Sequence, residues 1–174
     1  MKDVELRLIS ELVKNSRRSD RELAKTIGVS QPTVSRIIAR LQKEGKIKEF
    51  TMIPDLKQLG YNIMAVIFLS TQETEKEEEV TERLKDVRKM EEETRVANLV
   101  VVNGTGLGKG RMIINLYKDY SDFMKSLKII KNLPTIDADE TESFLVDLND
   151  KRNFRILSLK QLARNIEGFE KSSR

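Results

Sequence analysis

The chain has 174 residues, 39% hydrophobic and 34% charged, a balance suited to two small domains with much solvated surface. It holds no cysteine, histidine or tryptophan, which excludes disulfides, thiolate metal sites and a cysteine nucleophile and removes the usual neutral-pH acid–base group. The net charge of +4 is N-terminal in origin: residues 1–50 carry twelve Lys/Arg against seven Asp/Glu, residues 51–174 twenty against twenty-one. That asymmetry is expected where the N-terminal part alone faces phosphates.

An enzyme would have to work with carboxylates, lysines and hydroxyls, so no catalysis, metal or cofactor is expected. Met1 to Asn15 is studded with charge, unlike a signal peptide, and the longest purely apolar run, Ile63 to Leu69, is too short to cross a bilayer. The expectation is a soluble, cytoplasmic, nucleoid-associated protein that does not enter membranes.

In chain order, Asp3 reads as the N-cap of a first helix with Leu6, Ile9 and Val13 on one face and Leu8 and Leu12 beside it. The polar run Asn15 to Arg18 ends it. Ser19 and Glu22 form a capping box for a short second helix that Gly28 stops. Ser30 reads as the cap of a third helix, with Pro32 in its first turn and Gly45 at its end. Ala24 lets the second and third helices approach, and Leu23 and Ile27 meet Val34, Ile37 and Leu41. Helix, short glycine turn and helix with these contents is the DNA-binding helix-turn-helix arrangement; an ordinary helical hairpin is the alternative.

With Val34, Ile37, Ile38 and Leu41 inward, the third helix turns Pro32, Arg36, Ala39, Arg40 and Lys43 outward, flanked by Thr33 and Ser35. Arg36 and Arg40 are candidates for reading guanine. Gln31, Thr33 and Ser35 join them as candidate base readers, with simple capping and solvation as the other reading. Arg17, Arg18, Arg21, Lys43, Lys46 and Lys48 are candidate phosphate contacts. Lys46 to Ile53 alternates as a strand and predicts a wing.

The ordered stretches “RRSDRELA”, “GVSQPTV”, “RLQKEGKI” and “PDLKQLGY” resemble the leucine-responsive regulatory protein/asparagine-synthesis regulator (Lrp/AsnC) family over residues 3 to about 147. The resemblance implies a winged helix-turn-helix, a short linker and a ferredoxin-like effector and oligomerisation (RAM) domain. Predicted boundaries are 1–53 for the DNA-binding domain, 54–60 for a linker, 61–148 for the ferredoxin-like domain and 149–174 for a helical extension.

Beyond the linker, Asn62 to Ser70 predicts a strand, and Thr74 with Glu77 opens a helix carrying Val80, Leu84 and Val87. Thr94 to Val102 and Arg111 to Tyr117 predict two strands joined by a glycine-rich hairpin. Phe123, Leu127 and Ile130 mark a helix ended near Leu133-Pro134, and Ile136 to Leu148 a fourth strand, strongest from Thr141. The order βαββαβ is the split βαβ arrangement of an α+β domain, with both helices on one face. The first two strands are apolar on both sides, which predicts a two-fold dimer joined through the uncovered sheet face; the C-terminal tail covering that face is the alternative. Asn149 to Glu167 predicts an added helix with Ile156, Leu159, Ala163 and Ile166 on one stripe.

Asn103 to Gly110 lacks the residues of a Walker loop or dinucleotide fingerprint and is followed by a strand, so a hairpin turn is the plain reading. The resemblance implies that this loop lies where amino-acid effectors bind, making Gly104, Thr105, Gly106, Gly108 and Lys109 candidate effector contacts. Acidic residues usual there are absent and Lys109 stands in the loop, which admits an anionic ligand or none. The expected function is sequence-specific binding of double-stranded DNA by a dimer or larger homo-oligomer that regulates transcription, with a small-molecule effector allowed. Architectural DNA packaging with little specificity is the alternative.

Overall fold

A computed structural model describes residues 3–70, 96–133, 136–153 and 156–172, with Lys85 and Arg88 between them. The chain divides into two compact units, one of Met1–Pro54 with Arg155–Arg174 and the other of Asp55–Phe154.

In the first unit α1 spans Asp3–Lys14, α2 Asp20–Ile27 and α3 Gln31–Lys43. Asp3 lies inside the first turn of α1 rather than before it, where its charge still favours the helix N-terminus. The Ser19–Glu22 capping box is formed in both directions. The Ser19 backbone N–H, and then its hydroxyl, hold the Glu22 carboxyl below the usual carboxylate range. The capping contribution is therefore complete above the ordinary glutamate pKa and fades as pH falls through the lowered value. Gly28 closes α2 at φ 77°, a left-handed conformation costly for other residues. Ser30 occupies the N-cap of α3, but its hydroxyl bonds the Thr33 hydroxyl at 2.8 Å instead of a backbone N–H. Gly45 at φ 67° ends α3 in a Schellman turn, with Lys46 N–H donating to the Leu41 carbonyl at 2.8 Å and Gly45 N–H to that of Gln42 at 3.0 Å. Leu8, Leu12, Leu23, Ala24, Ile27 and Val34 form the core of this unit.

The expected wing strand does not form: residues 48–53 have no regular structure and join no sheet among the described residues. A strand needs a ladder partner, and the described residues supply 48–53 with none; Ser16 instead donates its hydroxyl to the Thr51 carbonyl at 3.1 Å. Phe50, Met52 and Ile53 are left exposed.

In the second unit, Asp55 caps a single turn that Gly60 closes. Strand β1 spans Ile63–Leu69, β2 Ala97–Gly106, β3 Lys109–Tyr117 and β4 Glu142–Asp147, with helix α4 at Tyr120–Lys131. The antiparallel sheet has the order β2-β3-β1-β4, that of the split βαβ fold. The helix predicted from Thr74 lies outside the described residues. Strand β4 is shorter than expected because the Asp137 side chain accepts from Asp139 and Glu140 N–H and its carbonyl from the Thr141 hydroxyl, turning the chain before it can pair. One sheet face is packed: Ala65, Ile67 and Leu69 join Tyr117, Phe123, Ile130 and Ile136 in a core. Asn115 donates to the buried Tyr117 hydroxyl, which bonds Ser126 of α4 at 3.0 Å.

Strands β2 and β3 continue through the glycine-rich stretch to a two-residue turn, Leu107-Gly108, at φ 54° and 69°. Both positive angles are those of a type I′ hairpin, in which asparagine suits the first position better than leucine. Leu107 is 76% exposed and gains little from burial. Leu107→Asn is expected to stabilise the protein by roughly 0.5–1 kcal/mol, read as a higher midpoint in urea.

Beyond β4 the predicted helix does not start at Asn149. Asp147 and Asp150 accept from the N–H groups of Asn149 and Arg152 and hold a turn there. The last helix, α5, begins at Lys160 and runs to Ser172. It packs on α1 of the first unit: Ser10 and Ala163 are fully buried, and the Ser10 hydroxyl donates to the Ala163 carbonyl at 3.1 Å. The wide apolar surface of α1 thus serves two packing directions, Leu8 and Leu12 toward α2 and α3, Ser10 toward α5.

Candidate nucleic-acid interface

The chemistry of the first unit is concentrated on α3. Val34 and Leu41 are fully buried and Ile37 and Ile38 half-buried, which fixes the helix rotation. Pro32, Arg36, Ala39 and Lys43 consequently stand exposed on the opposite side. The side chains of Gln31, Arg36 and Lys43 make no hydrogen bond or ion pair with any described residue. No acidic side chain lies on the central strip between Pro32 and Lys43.

The two flanks of α3 differ from that strip. Arg40 donates through Nη2 to Glu5 Oε1, and its Nε lies 3.8 Å from Glu44 Oε1. Ser35, on the other flank, donates its hydroxyl to Asp20 Oδ2 of α2 and to the Gln31 carbonyl. Thr33 is engaged with Ser30. Of the five candidate base readers, Gln31 and Arg36 therefore have side chains with no polar partner among the described residues, while Thr33, Ser35 and Arg40 are already held.

The candidate phosphate contacts divide likewise. Arg18 bridges Glu11 of α1 and the Thr26 hydroxyl of α2, so it works as a tie between helices. Arg17 and Arg21 are exposed, and their side chains contact no described partner. Lys46 pairs with Glu44 at 2.7 Å, which holds the Glu44 carboxyl below its usual range; Lys48 is exposed. Lys25, exposed on α2, is a further cation that the sequence reading passed over. Glu5 was also passed over, although it shares the i, i+3, i+7 stripe with Leu8 and Leu12 and is only 6% exposed.

In the second unit Gly104, Thr105 and Gly106 end β2, Gly108 lies in the turn and Lys109 opens β3. Lys109 does not offer a free cation. Its side chain is 7% exposed, with Nζ 3.2 Å from Glu140 Oε2 and 3.4 Å from Glu142 Oε1. Burial alone pushes its pKa down, and the two carboxylates more than reverse this, keeping it charged and neutralised. Acidic residues do reach the hairpin, from a segment about thirty residues away in sequence.

Residues 1–48 match a family described as winged helix-turn-helix DNA-binding. An uncharacterized HTH-type transcriptional regulator of Pyrococcus furiosus is 32% identical over 151 residues, covering 85% of this chain and 94% of that one. Among solved structures, Bacillus subtilis LrpC superposes with a TM-score of 0.67 at 21% identity, covering 91% of this chain and 97% of LrpC. A transcriptional regulator of Neisseria meningitidis in complex with L-Met superposes with a TM-score of 0.71 at 17% identity, covering 93% and 99%.

Proposed function

Because this chain belongs to the Lrp/AsnC family of transcriptional regulators, we propose that it binds specific duplex DNA sequences as a two-fold dimer or a multiple of dimers. The observation that carries this reading is the central strip of α3, where Arg36 and Lys43 stand exposed and uncommitted beside Gln31. A helix placed this way enters the major groove with its N-terminal half against base edges. Arg36 reads a base, Lys43, Arg17, Arg21 and Lys48 hold phosphates, and Ser35 and Arg40 contribute from the flanks.

The dimer is supported by the second sheet face. In register across the strands, Phe144, Val66, Ile114 and Val100 form one apolar rung, and Phe144 is 65% exposed. An apolar sheet face of this kind calls for a second apolar layer, and an identical sheet supplies it. The neighbour in complex with L-Met supports control by a small molecule. With Lys109 neutralised, an anion recognised by that lysine alone is disfavoured.

Selection of bound sites from a random duplex pool tests the reading. A preferred site should emerge and exceed random duplex in affinity by about 10³-fold or more at physiological salt. A ratio near one would mean packaging instead. Arg36→Ala should cost about 1–3 kcal/mol at the preferred site and relax preference at one base position, measured by repeating the selection.

A further inference from the structure

Arg36, Arg40 and Lys43 all lie on or beside the outer face of α3, yet only two of these charges are available. Glu5 is 6% exposed on the buried stripe of α1, and its Oε1 accepts from Arg40 Nη2. Glu44 adds a second carboxylate 3.8 Å from Arg40 Nε. Drawing Arg40 onto a phosphate would strip a buried carboxylate of its guanidinium, a loss that a solvent-screened phosphate contact does not offset.

We infer that Glu5 is a specificity-determining, positioning residue: it withholds the Arg40 charge from sequence-independent attraction and fixes the guanidinium plane. The remaining N–H groups of Arg40, 43% exposed to solvent, stay open to a correctly placed base edge. Affinity for random duplex scales with the number of phosphates that free cations neutralise, each contributing about −0.9 to the slope of log K against log salt. Lys43 counts in that sum, and Arg40 does not. Affinity for the correct site keeps the Arg40 contact. Asp20 acts in the same sense on the other flank, holding the Ser35 hydroxyl. This inference rests on the DNA reading above and adds a statement about how the site discriminates.

The test measures binding of the full chain to random duplex and to a selected site across a potassium chloride series. Lys43→Ala should lower the random-duplex slope by about 0.9, whereas Arg40→Ala should leave that slope at the wild-type value and weaken only the selected site. Glu5→Gln should steepen the slope by about 0.9, tighten random binding several-fold and so reduce the ratio of selected to random affinity. The Glu5→Gln, Arg40→Ala double variant should return the slope to wild type. Equal slopes for Lys43→Ala and Arg40→Ala overturn the inference, as does a Glu5→Gln effect that persists without Arg40. Where Arg40→Ala folds poorly because it leaves the Glu5 carboxylate without its guanidinium, Arg40→Gln, whose amide can still donate to Glu5, makes the same slope comparison. A wild-type chain that binds no duplex would overturn the DNA reading itself; normal wild-type binding with the slopes reversed overturns this inference alone.

Discussion

A Val66→Asp variant is expected to run as a monomer in analytical ultracentrifugation and to bind a duplex carrying two half-sites about 10²–10⁴-fold more weakly than wild type. Val66 lies in the middle strand of the apolar rung, paired in register with Ile114 on one side and Phe144 on the other. Its neighbours along β1 on that face are Met64 and Phe68, so a carboxylate there sits amid apolar groups with no cation in the same rung. In the proposed sheet-against-sheet dimer it would be pressed into an apolar layer, at a cost in desolvation. Within a single chain the same side chain faces away from the core of Ala65, Ile67 and Phe123, so the domain itself should keep most of its stability. The fall in affinity comes from uncoupling two recognition helices. A Val66→Asp chain that remains dimeric would place the interface elsewhere.

The second large effect concerns the end of the chain. Ala163→Glu should destabilise the DNA-binding unit by about 3–5 kcal/mol, because it forces a charge into a contact that excludes solvent. Ala163 and Ser10 are both fully buried, and the Ser10 hydroxyl is satisfied by the Ala163 carbonyl. Deleting residues 155–174 should have a similar effect, by baring the second apolar side of α1. Thermal unfolding followed by hydrogen exchange should show α1 to α3 losing protection while β1, β3 and β4 keep theirs. If both sets of amides respond equally, α5 stabilises something other than the first unit.

Much of this fold was legible in the residues because local rules and packing rules agree. The Ser19–Glu22 box, Gly28 and Gly45 each mark a boundary that the structure keeps. The apolar runs of β1 and β2 announced a sheet, and one of its faces is packed in the core. The errors occur where side chains compete with the backbone or where a partner is distant. Asp137, Asp147 and Asp150 capture N–H groups and turn the chain where apolar periodicity alone predicts a strand or helix. The wing segment alternates like a strand, but pairing is a property of two segments and cannot be read from one. The commitment of Arg40 was likewise hidden, since Glu5 lies thirty-five residues away. One clue stood in plain view: an acidic residue on an otherwise apolar stripe signals a buried charge that needs a partner.

The packing of α5 onto α1, which lies far upstream in sequence, bears on synthesis. A ribosome releases α1 to α3 first, and ordinarily such a module would be finished while the rest is still being made. Here the surface around Ser10 stays wet until α5 has cleared the exit tunnel. A message cut short before α5, or a product clipped ahead of it, therefore yields a protein whose reading head is left incomplete.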